Sequence, residues 1–203
     1  MFVFSGDPVS NPIHADLTLV AIIGSLRAQS INRALFEAAI EVAPAGITIT
    51  EAPIGNLPHF NQDLETPPLP AAVEAFHALI RPADGVLFFT PEYNYSIPGV
   101  LKNAIDWGSR PSGNGSLSKK PVMIFGAAGG RSGTMRAQIH LRSILGNLEM
   151  HAMPKPEFVL PYAGNAMGNG RFIDADVLNQ ISTMLDAFAD WIQLLKQRDQ
   201  VLA

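Results

Sequence analysis

Apolar runs and amphipathic stripes alternate along this chain from residue 17 onward. Leu17 to Ile23 (Leu-Thr-Leu-Val-Ala-Ile-Ile) is β-branched and nearly all apolar, as a central parallel strand covered on both faces must be. From about Asn32 the period changes: Leu35, Ala38, Ala39 and Val42 fall at i, i+3, i+4 and i+7, which predicts a helix. Ile47 to Glu51 alternates apolar and polar residues and predicts a short second strand. Val73, Phe76, His77 and Ile80 mark a second helix, Gly85 to Phe89 a buried third strand, and Gly99 to Trp107 a third helix. Pro121 to Phe125 predicts the fourth strand, and Ala137, Leu141, Ile144 and Leu145 stripe the helix after it. A fifth strand is expected within Glu149 to Leu160, interrupted near Pro154 and Pro156. The last helix aligns Val177, Ile181, Met184, Leu185, Phe188, Ile192 and Leu195. Strands and helices in strict alternation predict an α/β fold, a doubly wound sandwich with one sheet between two helical layers.

Open sheets of this kind bind ligands beyond the carboxyl ends of their strands. The loop after the third strand is therefore the most informative segment: Thr90-Pro-Glu-Tyr-Asn-Tyr-Ser-Ile-Pro-Gly99. Pro91 stops the strand and Pro98-Gly99 sets the next helix start. Between them lie a carboxylate, an amide, a hydroxyl and two phenolic rings, which suit a planar polar ligand. The Pro-rich connection from Pro53 to Pro70 is too long for a turn and is a candidate functional or interface loop. Ala163 to Gly170 reads as a Gly/Asn-rich loop.

Composition narrows the classes. With 203 residues, one domain is the natural expectation, and the first sixteen residues, Met1 to Asp16, read as a loose extension without a signal-peptide pattern. A net charge of -4 argues against general nucleic-acid binding, and no cysteine is available for disulfides, thiolate metal sites or nucleophilic catalysis. No apolar run approaches a membrane span. A cytoplasmic enzyme or binding protein is expected.

The first strand–helix loop, Gly24-Ser25-Leu26-Arg27-Ala28-Gln29-Ser30-Ile31-Asn32, offers hydroxyls, backbone N–H groups and a guanidinium at a helix N-terminus. That combination cradles phosphate, although Ser30 also suits a simple helix cap. Leu26 and Gln29 stand where a dinucleotide turn needs its second and third glycines, so a monophosphate fits better, even with Glu51 ending the second strand. Gly130-Arg-Ser132-Gly-Thr134 misses the hydrolase elbow Gly-x-Ser-x-Gly at its last position. The glycines before it, in Ala127-Ala128-Gly129-Gly130, instead let backbone approach a flat ligand. The five histidines show no metal-ligand spacing. His77 reads as a packed or partly exposed core residue, Trp107 and Trp191 as buried in the core or an interface, and Arg136 and Arg142 as solvated charges unless a cofactor or subunit meets them.

Taken together, Gly24-Ser-Leu-Arg-x-x-Ser-x-Asn32, Thr90-Pro-Glu-Tyr-Asn-Tyr-Ser-Ile-Pro-Gly99, Leu101-Lys-Asn-Ala-Ile-Asp-Trp107 and His140-Leu-Arg-x-Ile-Leu145 resemble the NADPH-dependent FMN reductase family. Leu57-Pro-x-Phe-Asn-x-Asp-Leu-Glu65 follows the same pattern, and the likeness runs over about residues 17 to 195. The resemblance implies a flavodoxin-like three-layer sandwich over residues 17–203, with a five-stranded parallel sheet in the order 2-1-3-4-5. It implies FMN as cofactor, its phosphate on Gly24, Ser25, Arg27, Ser30, Ile31 and Asn32. The ring and ribityl chain then meet Pro91, Glu92, Tyr93 and Asn94, and the far side meets Ala127, Ala128, Gly129 and Gly130. Some relatives carry hydroxyls where Ala127 and Ala128 stand, so backbone groups are the expected donors there.

The resemblance further implies an NAD(P)H oxidoreductase that passes hydride through flavin N5 to quinones, azo compounds, metal oxyanions or free flavin. No catalytic side chain and no metal are called for, since the flavin carries the chemistry. Arg131 and Arg136 are candidates for the 2′-phosphate of NADPH, on charge alone. Homodimers or homotetramers are typical of the family. Two alternatives stay open: an FMN-binding electron carrier without NAD(P)H activity, and a flavin-free binding domain on the same fold. The acceptor, and NADPH against NADH, are not readable from the sequence.

Overall fold

A computed structural model of the protein describes residues 16–202. The expected extension over residues 1–16 lies outside these residues apart from Asp16. Strand β1 (Leu17–Ile23) sits between β2 (Ile47–Glu51) and β3 (Gly85–Phe89), and β4 (Pro121–Ala127) follows β3, all parallel. Beside β4 run two short parallel pieces, β5 (His151–Ala152) and β6 (Phe158–Leu160), so the order is β2-β1-β3-β4 with both pieces on β4. The expected order holds, and the fifth position is split where Pro154 and Pro156 lack the N–H a ladder needs.

Alternate residues of each central strand feed opposite cores. Leu19, Ala21 and Ile23 of β1, with Leu87 and Phe89 of β3, pack under α1 (Ile31–Glu41) and the long C-terminal helix α5 (Ala175–Leu202). Val20 and Ile22, with Val86 and Phe88, pack under α2 (Ala71–Ile80), α3 (Gly99–Gly108) and α4 (Met135–Asn147). Strands buried on both faces have to be apolar throughout, which is why their sequences do not alternate. Each large side chain so buried contributes about 1.5–3 kcal/mol.

Trp107 and His77 are buried as expected. Trp107 donates its indole N–H to the Pro58 carbonyl at 2.8 Å, and Phe60 meets its ring edge-on at 5.1 Å. The Pro53–Pro70 connection is thereby laid along α3. His77 Nδ1 lies 2.8 Å from the Ser116 hydroxyl. Two differences from the sequence reading concern the glycine-rich segments. Strand β4 runs on to Ala127 rather than stopping at Phe125, because Gly126 and Ala127 pair with Val159 and Leu160. The expected loop at 163–170 contains a helical turn (Ala163–Ala166) and leads into a small hairpin, β7 (Met167–Gly168) and β8 (Arg171–Phe172). Asn169 and Gly170 both take positive φ in its turn, the conformation that Asn-Gly adopts most readily.

Candidate functional site

Ile23 pairs with Phe89, and Phe89 with Phe125, so β1 and β3 end level with one another while β4 runs two residues further, to Ala127. The rings of Phe89 and Phe125 stack 5.0 Å apart, fully buried in the core near that edge. Beyond it the chain reverses its direction of winding between β1 and β3, the place where such sheets leave a crevice. A cleft of about 270 Å³ opens there, lined by Ser25, Arg27, Ser30, Ile31, Asn32, Pro91, Glu92, Tyr93 and Ala127 to Gly130. Every expected site residue except Gly24 and Asn94 therefore converges on one cavity. Gly24 lies behind it: a Cβ there would press on Leu101 at 3.0 Å and approach the Phe89 carbonyl. Asn94 stands outside on an exposed turn.

At one end of the cleft helix α1 begins. Ser30 is its N-cap and accepts the Arg33 N–H at 3.3 Å, while the Ser25 hydroxyl accepts the Arg27 N–H at 3.4 Å. The first-turn N–H groups of Ile31 and Asn32 have no acceptor among the described residues. The Arg27 guanidinium is exposed and likewise without an acidic partner among them. Unmet N–H groups, hydroxyls and a free guanidinium around a helix start form an anion site. Glu51 is absent from it, because Arg33 grips that carboxylate bidentately at 2.6 and 2.9 Å.

Two side chains expected to face a ligand are committed elsewhere. The Asn32 amide is 2 % exposed, donates to the Ala127 carbonyl at 2.9 Å and accepts the Ala127 N–H at 3.1 Å. It bolts the start of α1 to the end of β4, leaving only its backbone N–H toward the cleft. The Glu92 carboxylate, with a side chain 7 % exposed, accepts from Arg136 Nε at 2.6 Å and from the N–H groups of Arg136 and Ala137. It caps α4 from a different loop, since Thr134 provides no side-chain cap. The first tie joins one rim of the cleft to another and the second fixes the remaining rim to α4, which preorganises the site.

Arg136 is thus no solvated charge and is not available to a phosphate. Besides Glu92 it bonds the Ser132 hydroxyl at 2.9 Å and covers the Tyr95 ring at 3.7 Å. Asn94 and Tyr95 both hold positive φ, and reciprocal backbone bonds between Tyr93 and Ser96 close the turn around them. A left-handed tyrosine costs roughly 1–2 kcal/mol, which the guanidinium contact helps offset. This clamp was not legible in the sequence, because Glu92 and Arg136 carry no local sign of each other.

On the third rim the expected backbone donors are halved. The Ala127 N–H is taken by Asn32 and the Ala128 N–H by the Leu160 carbonyl at 3.0 Å. Gly129 and Gly130 keep their N–H groups without acceptors among the described residues, and a Cβ on either would meet nothing within 4 Å. Among the described residues Ser132 has no histidine partner: the His140 ring bonds Ser96 at 2.7 Å and His151 lies beside Arg198, so no nucleophile–base pair forms there. Among the described residues no group of three or more His, Asp or Glu could hold a metal ion.

Comparison with known proteins places this geometry. The sequence model of the NADPH-dependent FMN reductase family matches residues 17–165. The chain belongs to that family. An NAD(P)H-dependent FMN reductase of Pseudomonas aeruginosa is 45% identical over 182 residues, covering 89% of this chain and 98% of the relative. A quinone reductase of Escherichia coli is 41% identical over 184 residues, covering 89% of this chain and 97% of the relative. Among solved structures, the flavoenzyme NAD(P)H:(acceptor) oxidoreductase FerB from Paracoccus denitrificans superposes with a TM-score of 0.80 at 35% identity, covering 87% of this chain and 97% of that one. The NADPH-dependent FMN reductases are oxidoreductases, and the matched residues carry the first two rims of the cleft and the whole of the third.

Proposed function

We propose that this chain is an FMN-dependent NAD(P)H oxidoreductase that delivers electrons to a small acceptor: a quinone, an azo compound, a metal oxyanion or free flavin. The observation that carries the reading is one cleft lined both by an anion-binding helix start and by unengaged glycine N–H groups. The relatives named for FMN and quinone reduction support it. FMN bound there would supply the hydride and electron chemistry that none of these side chains can carry.

The residues present fit that cofactor. Ser25, Arg27, Ser30 and the Ile31 and Asn32 N–H groups would hold the phosphate. Pro91, Glu92 and Tyr93 line the ring through backbone and phenol, since the Tyr93 N–H is spent on Ser96. The N–H groups of Gly129 and Gly130, which have no acceptor among the described residues, would offer fixed dipoles to the ring. Asn32 and Glu92 keep these groups in place without touching the reacting atoms. No side chain is needed to shuttle a proton to the nicotinamide.

The same reading makes the protein a cytoplasmic homodimer or homotetramer. Met135 and Ile139, one turn apart on α4, are 55% and 64% exposed, and Tyr95, which α4 meets through Arg136, is 69% exposed. No described helix is long and apolar enough to cross a membrane. Mixing the FMN-loaded protein anaerobically with NADPH tests the activity. Bleaching of the yellow flavin band within the mixing time is the expected result; an unchanged spectrum would make the protein an electron carrier instead.

A further inference from the structure

We infer that Arg131 receives the 2′-phosphate of NADPH and so sets the preference of this enzyme for NADPH over NADH. The inference rests on the reductase reading above and adds to it the choice of nucleotide. Around the cleft, Arg33 and Arg136 are taken by Glu51 and Glu92. Two guanidinium groups remain exposed without an acidic partner among the described residues: Arg27 and Arg131. They belong to two different loops at the carboxyl edge of the sheet. Arg27 lies at the start of α1 with the other phosphate groups, and Arg131 follows Gly130 on the loop after β4. The cofactor has one phosphate, and the α1 end holds it, so an anion at Arg131 belongs to the incoming substrate.

The loop beneath Arg131 is fixed on both sides. The Gly130 carbonyl accepts the N–H groups of Gly133 and Tyr162, each at 3.3 Å, and the Ser132 hydroxyl is held by Arg136 at 2.9 Å. Its backbone is therefore anchored while its side chain alone is free to reach over the rim. A guanidinium is the side chain best matched to a phosphate, through paired N–H donors. NADPH and NADH differ by that one phosphate, so a cation placed here discriminates between them without altering the hydride step.

Steady-state kinetics of the FMN-loaded protein with each nucleotide, for the parent, Arg131→Ala and Arg131→Lys, test this. Calorimetric titration with 2′,5′-ADP and with 5′-AMP gives a second readout that does not depend on turnover. In Arg131→Ala the KM for NADPH should rise about tenfold with kcat nearly unmoved, as for loss of a charged hydrogen-bond pair. The KM for NADH should stay put, the affinity for 2′,5′-ADP should fall about tenfold and that for 5′-AMP should not change. Arg131→Lys should recover part of the loss, and added salt should shrink it. Equal effects on both nucleotides, or none, would overturn the assignment while leaving the reductase reading intact. So would loss of 2′,5′-ADP binding in Arg27→Ala in place of Arg131→Ala. A loaded protein that oxidises neither nucleotide would overturn both.

Discussion

Replacing Asn32 should unfold the protein more readily even with no cofactor present. The amide is buried and makes two hydrogen bonds, at 2.9 and 3.1 Å, to the main chain of Ala127, 95 residues away. Alanine would leave the Ala127 N–H without that acceptor and its carbonyl without that donor, and would open a small void. Each buried backbone group so stranded costs about 1–3 kcal/mol, so Asn32→Ala should lose roughly 3 kcal/mol. For a chain of this size that lowers the midpoint of thermal unfolding by about 6–12 °C. Asn32→Asp sharpens the test, because it keeps the acceptor for the Ala127 N–H and loses the donor to its carbonyl. A carboxylate facing that carbonyl has its folded pKa raised above its unfolded value near 3.9. Its deficit should therefore be largest at neutral pH and shrink as the solution is acidified toward the raised value. Melting curves of the apo-protein across pH read both effects directly. An apo-protein melting within 2 °C of the parent, paired with an FMN dissociation constant raised tenfold or more, would show that the amide serves the cofactor. The bolt between α1 and β4 would then be wrong.

Glu92→Ala should cost about 2–4 kcal/mol, because it strips the cap from α4 and leaves Arg136 uncompensated; chemical denaturation should show it, and in Arg136→Ala the same substitution should cost less. Arg27→Ala should weaken FMN by about 1–3 kcal/mol in a fluorescence titration while leaving the apo melting temperature unmoved; an unchanged dissociation constant would remove Arg27 from the site. Burial, helped by Arg81, holds the His77 imidazole below its ordinary value, and burial with Arg198 does the same to His151. The unfolded chain thus binds protons first as pH falls through about 6.5, so stability is level above that point and declines below it. His77→Gln should flatten the decline in melting temperature between about pH 6.5 and 5, and a curve of unaltered slope would count against a role for this histidine.

How much of this was legible in the chain depended on whether the signal was local. β1 and β3 announce themselves because strands covered on both faces must be apolar at every position, and the loops follow from where those runs end. The rims of the cleft were found for the same reason: Ser25 to Asn32, Pro91 to Tyr93 and Ala127 to Gly130 each sit at or just past the end of a strand. The roles of individual side chains were less accessible. Asn32 and Glu92 look like ligands in the sequence, and only the topology brings Ala127 and Arg136 to them, across 95 and 44 residues. Gly24 looks like part of a phosphate loop, and only packing reveals Leu101 behind it. The β7–β8 hairpin escaped because its strands are two residues each, too short to show a period beside the Asn-Gly turn.

A crystal structure of the protein grown with excess FMN tests the central claim most directly. The account predicts the cofactor's phosphate against Ser25, Ser30 and the Ile31 and Asn32 N–H groups, with its ring between Pro91–Tyr93 and Gly129–Gly130. Asn32 and Glu92 should keep their bonds to Ala127 and Arg136. Solvent alone along that edge of the sheet, or flavin seated at any other surface, would contradict it.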